Sequence, residues 1–152
     1  MNCRTAEALA KWTQEVVIPT AKKELGADLA GLTQDSGYVC RTRYNRPGAK
    51  MSEHAKANAI DISAFRLAGR EPVPVALPKA QSTSIKRFQA LLHESACEFF
   101  TTVLGPGSNA AHATHFHLDL AERRSGYRVC DLGTSPAVLA ASRGGDQLTT
   151  PR

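Results

Sequence analysis

Two stretches of the sequence concentrate side chains that could bind a metal ion. Residues 52–62, SEHAKANAIDI, place His54 and Asp61 seven positions apart, and residues 112–120, HATHFHLDL, hold three of the chain's five histidines. A catalytic zinc ion takes three protein ligands from imidazole and carboxylate groups and keeps a fourth position open. His54, Asp61 and one histidine of the second stretch would supply that set. The alternative is a polar histidine cluster that binds no metal.

The second stretch has the alternation of a half-buried strand. The residues at positions 115, 117 and 119 are His, His and Asp, and the residues between them are large and apolar. Successive side chains of a strand point to opposite faces, so His115, His117 and Asp119 share one face. We predict a strand that packs on the core with one face and lines a site with the other. His112 falls off this alternation, at the end of the preceding loop, and could still lean toward the site.

His54 and Asp61 can share one ion only if the chain between them folds back. In a single helix the two residues would lie about 10 Å apart along the axis, and in a single strand about 23 Å apart. A zinc ion needs its ligand atoms at about 2 Å. We therefore predict a turn over residues 55–58, with Asp61 on the strand that follows.

Two helices are predicted from apolar residues that recur at helical spacing. The first covers residues 5–25, where Pro19 must break or restart it. The second covers residues 84–105, with Ser84 as its cap and Gly105 at its end. Its broad apolar face indicates packing against a core.

The strands predicted from the sequence would build a small sheet. They cover residues 36–44, 59–66 and 115–122, with a final short segment at 127–132. Residues 67–82 are predicted to form a turn, a short extended piece and a loop. We expect an α+β domain with a small, mostly antiparallel sheet that carries the site, and with helices packed on the other face of that sheet.

Length and composition are those of one ordinary domain. The chain has 152 residues, of which 42% are hydrophobic. We assign residues 1–132 to the domain and predict a flexible tail over 133–152, where no period is visible. No apolar run approaches the roughly 20 residues of a membrane span. We expect no membrane span and, without a repeated aromatic and basic pattern, no nucleic-acid partner.

The net charge of +5 is a mild basic excess. It would suit an anionic polymer such as the bacterial cell wall, or simply a solvated surface. The N-terminal residues lack the apolar core of a secretory signal. We therefore expect either a trimmed mature domain with an added Met1 or export by another route.

Four cysteines are scattered along the chain, and none forms a CxxC pair that would suggest a zinc ribbon. Their number suits two disulfides in an oxidising compartment, whereas the alternative is four free thiols in a cytosolic protein. Three pairings are open. We favour Cys97 with Cys130, because the last segment must be fastened to the long helix, and this leaves Cys3 to pair with Cys40.

The combined motif S-x-H-x6-D followed by H-x-H resembles the zinc peptidases that include lysostaphin, D-Ala-D-Ala carboxypeptidases and the hedgehog signalling domain. In more detail, YVCR, YNRPGAKMSEHAKANAIDI, ACEFFTTVLGPG and HATHFHLDL resemble the extensin-like C-terminal domain of bacteria. This resemblance runs from about Cys3 to Cys130. Carboxypeptidase relatives usually have glycine where Ala57 stands here.

The resemblance implies one zinc ion per chain, held by His54, Asp61 and His117. It also implies that His115, or alternatively His112, takes the proton from the attacking water. Carboxypeptidase relatives often use a glutamate for this step, and this chain has none between residues 99 and 121.

The resemblance further implies a substrate-binding stretch in CRTRYN. Its pattern R-T-x-x-N matches Arg41 and Asn45, and an arginine there binds a substrate carboxylate or polarises the scissile carbonyl. Arg43 would alternate to the other face. Tyr44 either lines the groove or only packs, and Ser52 either bonds near the ligands or only shapes the turn.

The function implied is that of a zinc-dependent peptidoglycan peptidase, acting as a monomer in the periplasm or after secretion. The bond hydrolysed could be D,D or L,D, in a cross-link or at a stem-peptide end. If the protein is an antibacterial effector, an immunity protein would be its partner. Two alternatives remain open: a non-catalytic wall-binding module that keeps the zinc, and a cytosolic protein with a structural metal.

Overall fold

A computed structural model describes residues 1–76 and 81–131 and has the expected α+β architecture. The helices are α1 Cys3–Trp12, α2 Ile18–Thr20 and α3 Thr83–Phe99. The strands are β1 Leu29–Ser36, β2 Ala59–Leu67, β3 Val73–Pro74, β4 Thr102–Leu104, β5 Phe116–Asp119 and β6 Val129–Asp131. The tail predicted over residues 133–152 lies outside the described residues.

The six strands form one mixed sheet in the order β1-β2-β5-β4-β6, with β3 paired to β2. All described pairs are antiparallel except β4 with β6, which is parallel. The expected sheet was mostly antiparallel, and the parallel pair makes it mixed. β2 and β5 are neighbours near the middle of the sheet, and these two strands carry the polar residues singled out in the sequence.

The core lies between the helices and one face of the sheet. Ile60 and Ile62 of β2, and Phe116 and Leu118 of β5, are almost completely buried in it. Because side chains alternate along a strand, the polar residues between these four face the other side of the sheet. Trp12 fills the centre from α1. No described helix has both the length and the apolar character needed to cross a membrane.

The N-terminal helix continues through Pro19 instead of breaking there. α1 and α2 are joined by a π-helical stretch, Thr13–Val17, and a second one, Ala21–Leu25, follows α2. Such wide turns accommodate a proline because they disturb the regular ladder of backbone hydrogen bonds. Gly26, with φ of 62°, then ends the helical segment at the predicted place.

The strand predicted over residues 36–44 is wrong. The strand in this region is β1, which ends at Ser36, and a 3-10 turn occupies Arg43–Asn45. Tyr44 and Asn45 both have φ of 54°, a left-handed conformation that no strand contains. The alternation used to place Arg43 opposite Arg41 therefore does not apply.

The second predicted helix is too long at its C-terminal end. α3 stops at Phe99, Phe100 is extended, and β4 begins at Thr102. Two threonines and a valine favour a strand here. At the other end, the cap is Ser82 rather than Ser84, since the Oγ of Ser82 accepts a hydrogen bond from the amide of Ile85 at 3.3 Å.

One of the two predicted disulfides is present. Cys97 and Cys130 are bonded, with their Cα atoms 5.8 Å apart, and the bond fastens β6 to α3. Cys3 and Cys40 are exposed free thiols, so the structure does not contain the second predicted bond. The residues next to these two cysteines both hydrogen-bond to the turn around His54. The amide of Asn2, beside Cys3, donates to the carbonyl of Ala57, and the amide of Val39, beside Cys40, donates to the carbonyl of His54.

A buried histidine on the helix side of the sheet makes stability depend on pH. His93 is 5% exposed, its ring stacks on Phe116 at 4.8 Å between centroids, and its Nε2 has no hydrogen-bond partner among the described residues. Burial lowers the pKa of His93 to about 4, against a weaker opposing effect of Asp131. The folded protein therefore holds this ring neutral where an unfolded chain would protonate it.

Because of His93, we expect the free energy of unfolding to fall as the pH is lowered from 6.5 to 4. An unfolded histidine takes its proton near pH 6.5, and the folded one only near pH 4, so the loss is confined to that window. It amounts to at most about 3 kcal/mol. Urea unfolding of wild type and His93→Leu over this range measures it, and equal pH dependence in both proteins would contradict the prediction.

Candidate metal and catalytic site

A short turn folds the chain back between His54 and Asp61, as expected. The 3-10 turn Glu53–Lys56 is capped by Ser52, whose Oγ accepts a hydrogen bond from the amide of His54 at 3.3 Å. Ala57 ends the turn with φ of 53°. This left-handed conformation is one that glycine adopts without strain.

The register of β2 and β5 brings Asp61 and His117 together. These two residues face each other directly across the antiparallel pair. The Nδ1 of His117 lies 3.0 Å from Oδ1 of Asp61, and the Nε2 of His54 lies 3.2 Å from Oδ2. The two imidazoles are themselves 3.1 Å apart, from Nε2 of His54 to Nδ1 of His117. The predicted set therefore meets at one point, and all three groups are largely buried.

Outer hydrogen bonds determine which ring nitrogen of each histidine faces this point. The Nδ1 of His54 lies 2.7 Å from the carbonyl oxygen of Gly37, which can only accept, so Nδ1 carries a hydrogen. The Nε2 of His117 lies 2.9 Å from Oδ2 of Asp119 and donates to that carboxylate. The neutral rings therefore direct the lone pairs of Nε2 of His54 and Nδ1 of His117 inward, together with the Asp61 carboxylate.

The arrangement of these donor atoms fits a zinc ion. Zinc–nitrogen bonds of 2.0–2.1 Å at tetrahedral angles put neighbouring ligand atoms about 3.3 Å apart. The two imidazole nitrogens lie 3.1 Å apart, and they lie 3.0 and 3.2 Å from the two different oxygens of Asp61, Oδ1 for His117 and Oδ2 for His54. With one ligand atom from each residue, the three atoms lie within 4.8 Å of one another. Two imidazoles and a carboxylate are also ligands that zinc accepts.

Electrostatics at the site favour a positive charge. Burial raises the pKa of Asp61, but its hydrogen bonds with His117 and His54 outweigh burial and hold this pKa far below its usual range. Burial lowers the pKa of His117, but hydrogen bonds to Asp119 and Asp61 outweigh it and raise the pKa to about 9. A proton on His117 thus occupies the place that a cation would take.

His115 borders the site at the start of β5. Its Nε2 lies 3.7 Å from Oδ1 of Asp61, and its side chain is 16% exposed. It lies in a bend one residue before β5 and not in the strand predicted from residue 115, and it lies beside the ligand set rather than within it. A group in this position can exchange a proton with a water molecule at the site.

His112 approaches the site from the 3-10 turn Ala110–His112, with its ring 5.5 Å from that of His117. The Oδ1 of Asn109 accepts from the amide of Ala111 at 3.0 Å and lies 2.8 Å from Nδ1 of His112. That atom is thus an acceptor, so Nδ1 of His112 carries a hydrogen and its Nε2 is left as a proton acceptor. Burial, followed by the charges of His117 and His115, lowers the pKa of His112 to about 4.

A cleft of about 230 Å³ leads to these residues. It is lined by Arg41, Arg43, Tyr44, Ser52, Glu53, His54, Asp61, Thr102, Leu104, Ala111, His112, His115 and His117. Arg41 and Tyr44 therefore lie where substrate contacts were predicted, and Ser52 both lines the cleft and caps the turn. Asn45 is exposed and is not among the lining residues. Arg43, predicted to point away, lines the cleft with its Nη2 3.9 Å from Oε1 of Glu53.

Sequence reasoning missed the groups that orient the ligands. Asp119 was visible on the polar face of its strand but was given no role. The Gly37 carbonyl is a backbone group, and its role cannot be recognised from the residue type. Thr102 was hidden because its strand was taken for the end of a helix. Asn109, three positions before His112, had the spacing of a turn cap and could have been found.

The chain matches the family model described as the extensin-like protein C-terminus over residues 1–131. The match includes both stretches that build the site and both ends of the observed disulfide. Neither a curated protein nor a solved structure matches the chain.

Proposed function

Since the chain belongs to the extensin-like protein C-terminus family, we propose that it is a zinc-dependent peptidase of the bacterial cell wall. His54, Asp61 and His117 would hold one zinc ion per chain. The substrate would be a stem peptide of peptidoglycan or a cross-link between two stem peptides. The similarity of the S-x-H-x6-D and H-x-H motifs to zinc peptidases supports this choice of reaction.

The observation that carries the proposal is the convergence of three acceptors on one point. Two imidazole nitrogens lie 3.1 Å apart, and both are within 3.2 Å of the same carboxylate. In the neutral rings both nitrogens present lone pairs, which repel each other unless a cation or a proton lies between them. The burial of this cluster makes such an arrangement unfavourable without a positive charge.

A zinc ion held at this point would supply Lewis acidity and lower the pKa of a bound water molecule toward ~7. The chain itself supplies the group that moves protons. We assign that role to His115, which lies beside Asp61 and remains partly open to the cleft. It would accept a proton from the attacking water and return it to the leaving amine. His112, with its free Nε2, is the alternative.

Two arginines in the cleft could bind carboxylates of an anionic peptide. Arg41 and Arg43 both line it, and a guanidinium can bind a carboxylate through two parallel hydrogen bonds. In the proposed complex Arg41 binds a carboxylate of the substrate or stabilises the oxyanion formed at the scissile carbonyl. The net charge of +5 would also favour approach to an anionic wall.

The Cys97–Cys130 bond supports an oxidising compartment. We therefore propose that the protein acts in the periplasm or after secretion. There it would serve as a monomer, either in maintenance of the cell's own wall or as an antibacterial effector with an immunity protein as its partner.

Digestion of purified sacculi tests the proposed function. Zinc-loaded protein should release soluble muropeptides, and mass spectrometry of their ends should identify the D,D or L,D bond that is hydrolysed. His117→Ala is the matched control and should release none. If the protein binds sacculi tightly but no fragment appears, the peptidase assignment is wrong and the non-catalytic wall-binding module is favoured.

A further inference from the structure

Beyond the three converging groups, polar side chains connect His117 to a partly buried arginine. Nη2 of Arg123 lies 2.7 Å from Oγ1 of Thr102. Thr102 faces Asp119 directly across β4 and β5. Burial raises the pKa of the Asp119 carboxyl, and hydrogen bonding from His117 and then from the Thr102 hydroxyl outweighs burial and lowers it. Asp119 in turn lies 2.9 Å from Nε2 of His117. Four side chains thus form one continuous chain of hydrogen bonds.

The direction of every bond in this chain is fixed by chemistry. A guanidinium can only donate, so the oxygen of Thr102 accepts from Arg123 and its single hydrogen is free to point elsewhere. A carboxylate can only accept, so that hydrogen goes to Asp119. Asp119 then accepts from Nε2 of His117, because it has no hydrogen to give. The result is that Nδ1 of the neutral His117 ring presents a lone pair.

Burial makes these bonds hard to replace by water. Thr102 and Asp119 are 5% and 4% exposed. The other oxygen of Asp119 accepts from the amide of Ala121 at 2.9 Å. Arg123 is held in place by a second bond, from its Nη1 to the carbonyl of Thr101 at 3.1 Å. A buried carboxylate that loses one such donor is left with an unsatisfied lone pair.

We infer that Thr102 and Arg123 are positioning residues for the metal site. They hold the Asp119 carboxylate in its orientation, and Asp119 keeps His117 in the tautomer and ring orientation that direct Nδ1 at the cation. This inference rests on the metal site of the proposed function. Outer partners of this kind fix a ligand's tautomer and orientation, and their loss typically lowers metal affinity roughly 10- to 100-fold.

Thr102 gives a closely matched pair of variants. Thr102→Val keeps the shape and the β-branched character that β4 needs but removes the hydroxyl, whereas Thr102→Ser keeps the hydroxyl. We expect zinc affinity, measured by competition with a chelating dye, to fall roughly 10- to 100-fold in Thr102→Val. Thr102→Ser should restore it to near the wild-type value. Arg123→Gln should weaken binding, and Arg124→Gln, at the exposed neighbouring position, should not.

A second readout does not depend on zinc. In metal-free protein labelled with ¹⁵N-histidine, the Nε2–H of His117 should be protected from exchange with water in wild type and in Thr102→Ser. In Thr102→Val its resonance should shift or be lost to exchange, while the melting temperature shows that the variant still folds. If wild type binds no zinc, the proposed function fails, and this resonance alone decides the inference. The inference would be overturned if wild type and Thr102→Val bound zinc with equal affinity, or if the His117 signal were unchanged in folded Thr102→Val.

Discussion

Replacing Asp61 by alanine should remove both zinc binding and hydrolysis. Asp61 supplies the only negative charge among the three converging groups, and its oxygens lie 3.0 and 3.2 Å from the two imidazole nitrogens. Two neutral imidazoles alone cannot offset the charge of the ion. We therefore expect a loss of zinc affinity well beyond the roughly 100-fold that an outer hydrogen-bond partner contributes.

The control for this prediction is Asp35→Ala, which removes an exposed carboxylate from β1. That variant should keep the zinc affinity and the muropeptide release of wild type. Chelator competition and sacculus digestion measure the two quantities on the same preparations. Wild-type zinc affinity in Asp61→Ala would mean that the ion is held by other residues.

Replacing His115 by alanine should separate metal binding from catalysis. His115 lies 3.7 Å from Asp61 but is not one of the three groups that converge. We therefore expect His115→Ala to keep most of its zinc. Its rate of hydrolysis should fall about 100-fold or more, which is the usual contribution of a general acid–base group.

Variants of the two other histidines in this stretch, His117 and His112, are compared with His115→Ala. His117→Ala should lose both zinc and activity, because its Nδ1 is one of the converging acceptors. His112→Ala should lose an intermediate share of the rate while keeping zinc. If His112→Ala loses more rate than His115→Ala, then His112 is the proton acceptor. If His115→Ala loses the zinc and His117→Ala keeps it, the roles of the two residues must be exchanged.

The part of the site that lies on one strand could be predicted from the sequence. Alternation placed His117 on the face of β5 opposite the apolar Phe116, and the structure agrees for these two residues, whereas His115 precedes the strand. The fold-back between His54 and Asp61 was also predictable, because neither a helix nor a strand brings them within reach of one ion.

The parts that failed depend on backbone conformation and on contacts distant in sequence. Tyr44 and Asn45 belong to residue types that occur in strands and turns alike, and their positive φ angles became visible only in the structure. Val103 continues the apolar pattern of the helix, which hid the strand propensity of the two threonines before it, and pairing with β5 places Thr102 in the sheet.

The orienting groups could not be found from spacing because they come from separate segments. Gly37 contributes a carbonyl to His54, and Arg123, from the segment between β5 and β6, donates a hydrogen bond to Thr102. Each contact depends on how the sheet is assembled. The ligands themselves are compact in sequence, which is why the candidate set could be predicted while its surroundings could not.

The central claim is that His54, Asp61 and His117 form one zinc site, and X-ray absorption at the zinc edge tests it most directly. Protein loaded with one equivalent of zinc should show four nitrogen or oxygen ligands at about 2.0–2.2 Å, two of them imidazoles, and no sulfur. The same measurement on Asp61→Ala should lose this signature. A sulfur ligand at about 2.3 Å would indicate that the exposed thiols of Cys3 and Cys40 take the metal. That result, or an unchanged spectrum in Asp61→Ala, would contradict the account.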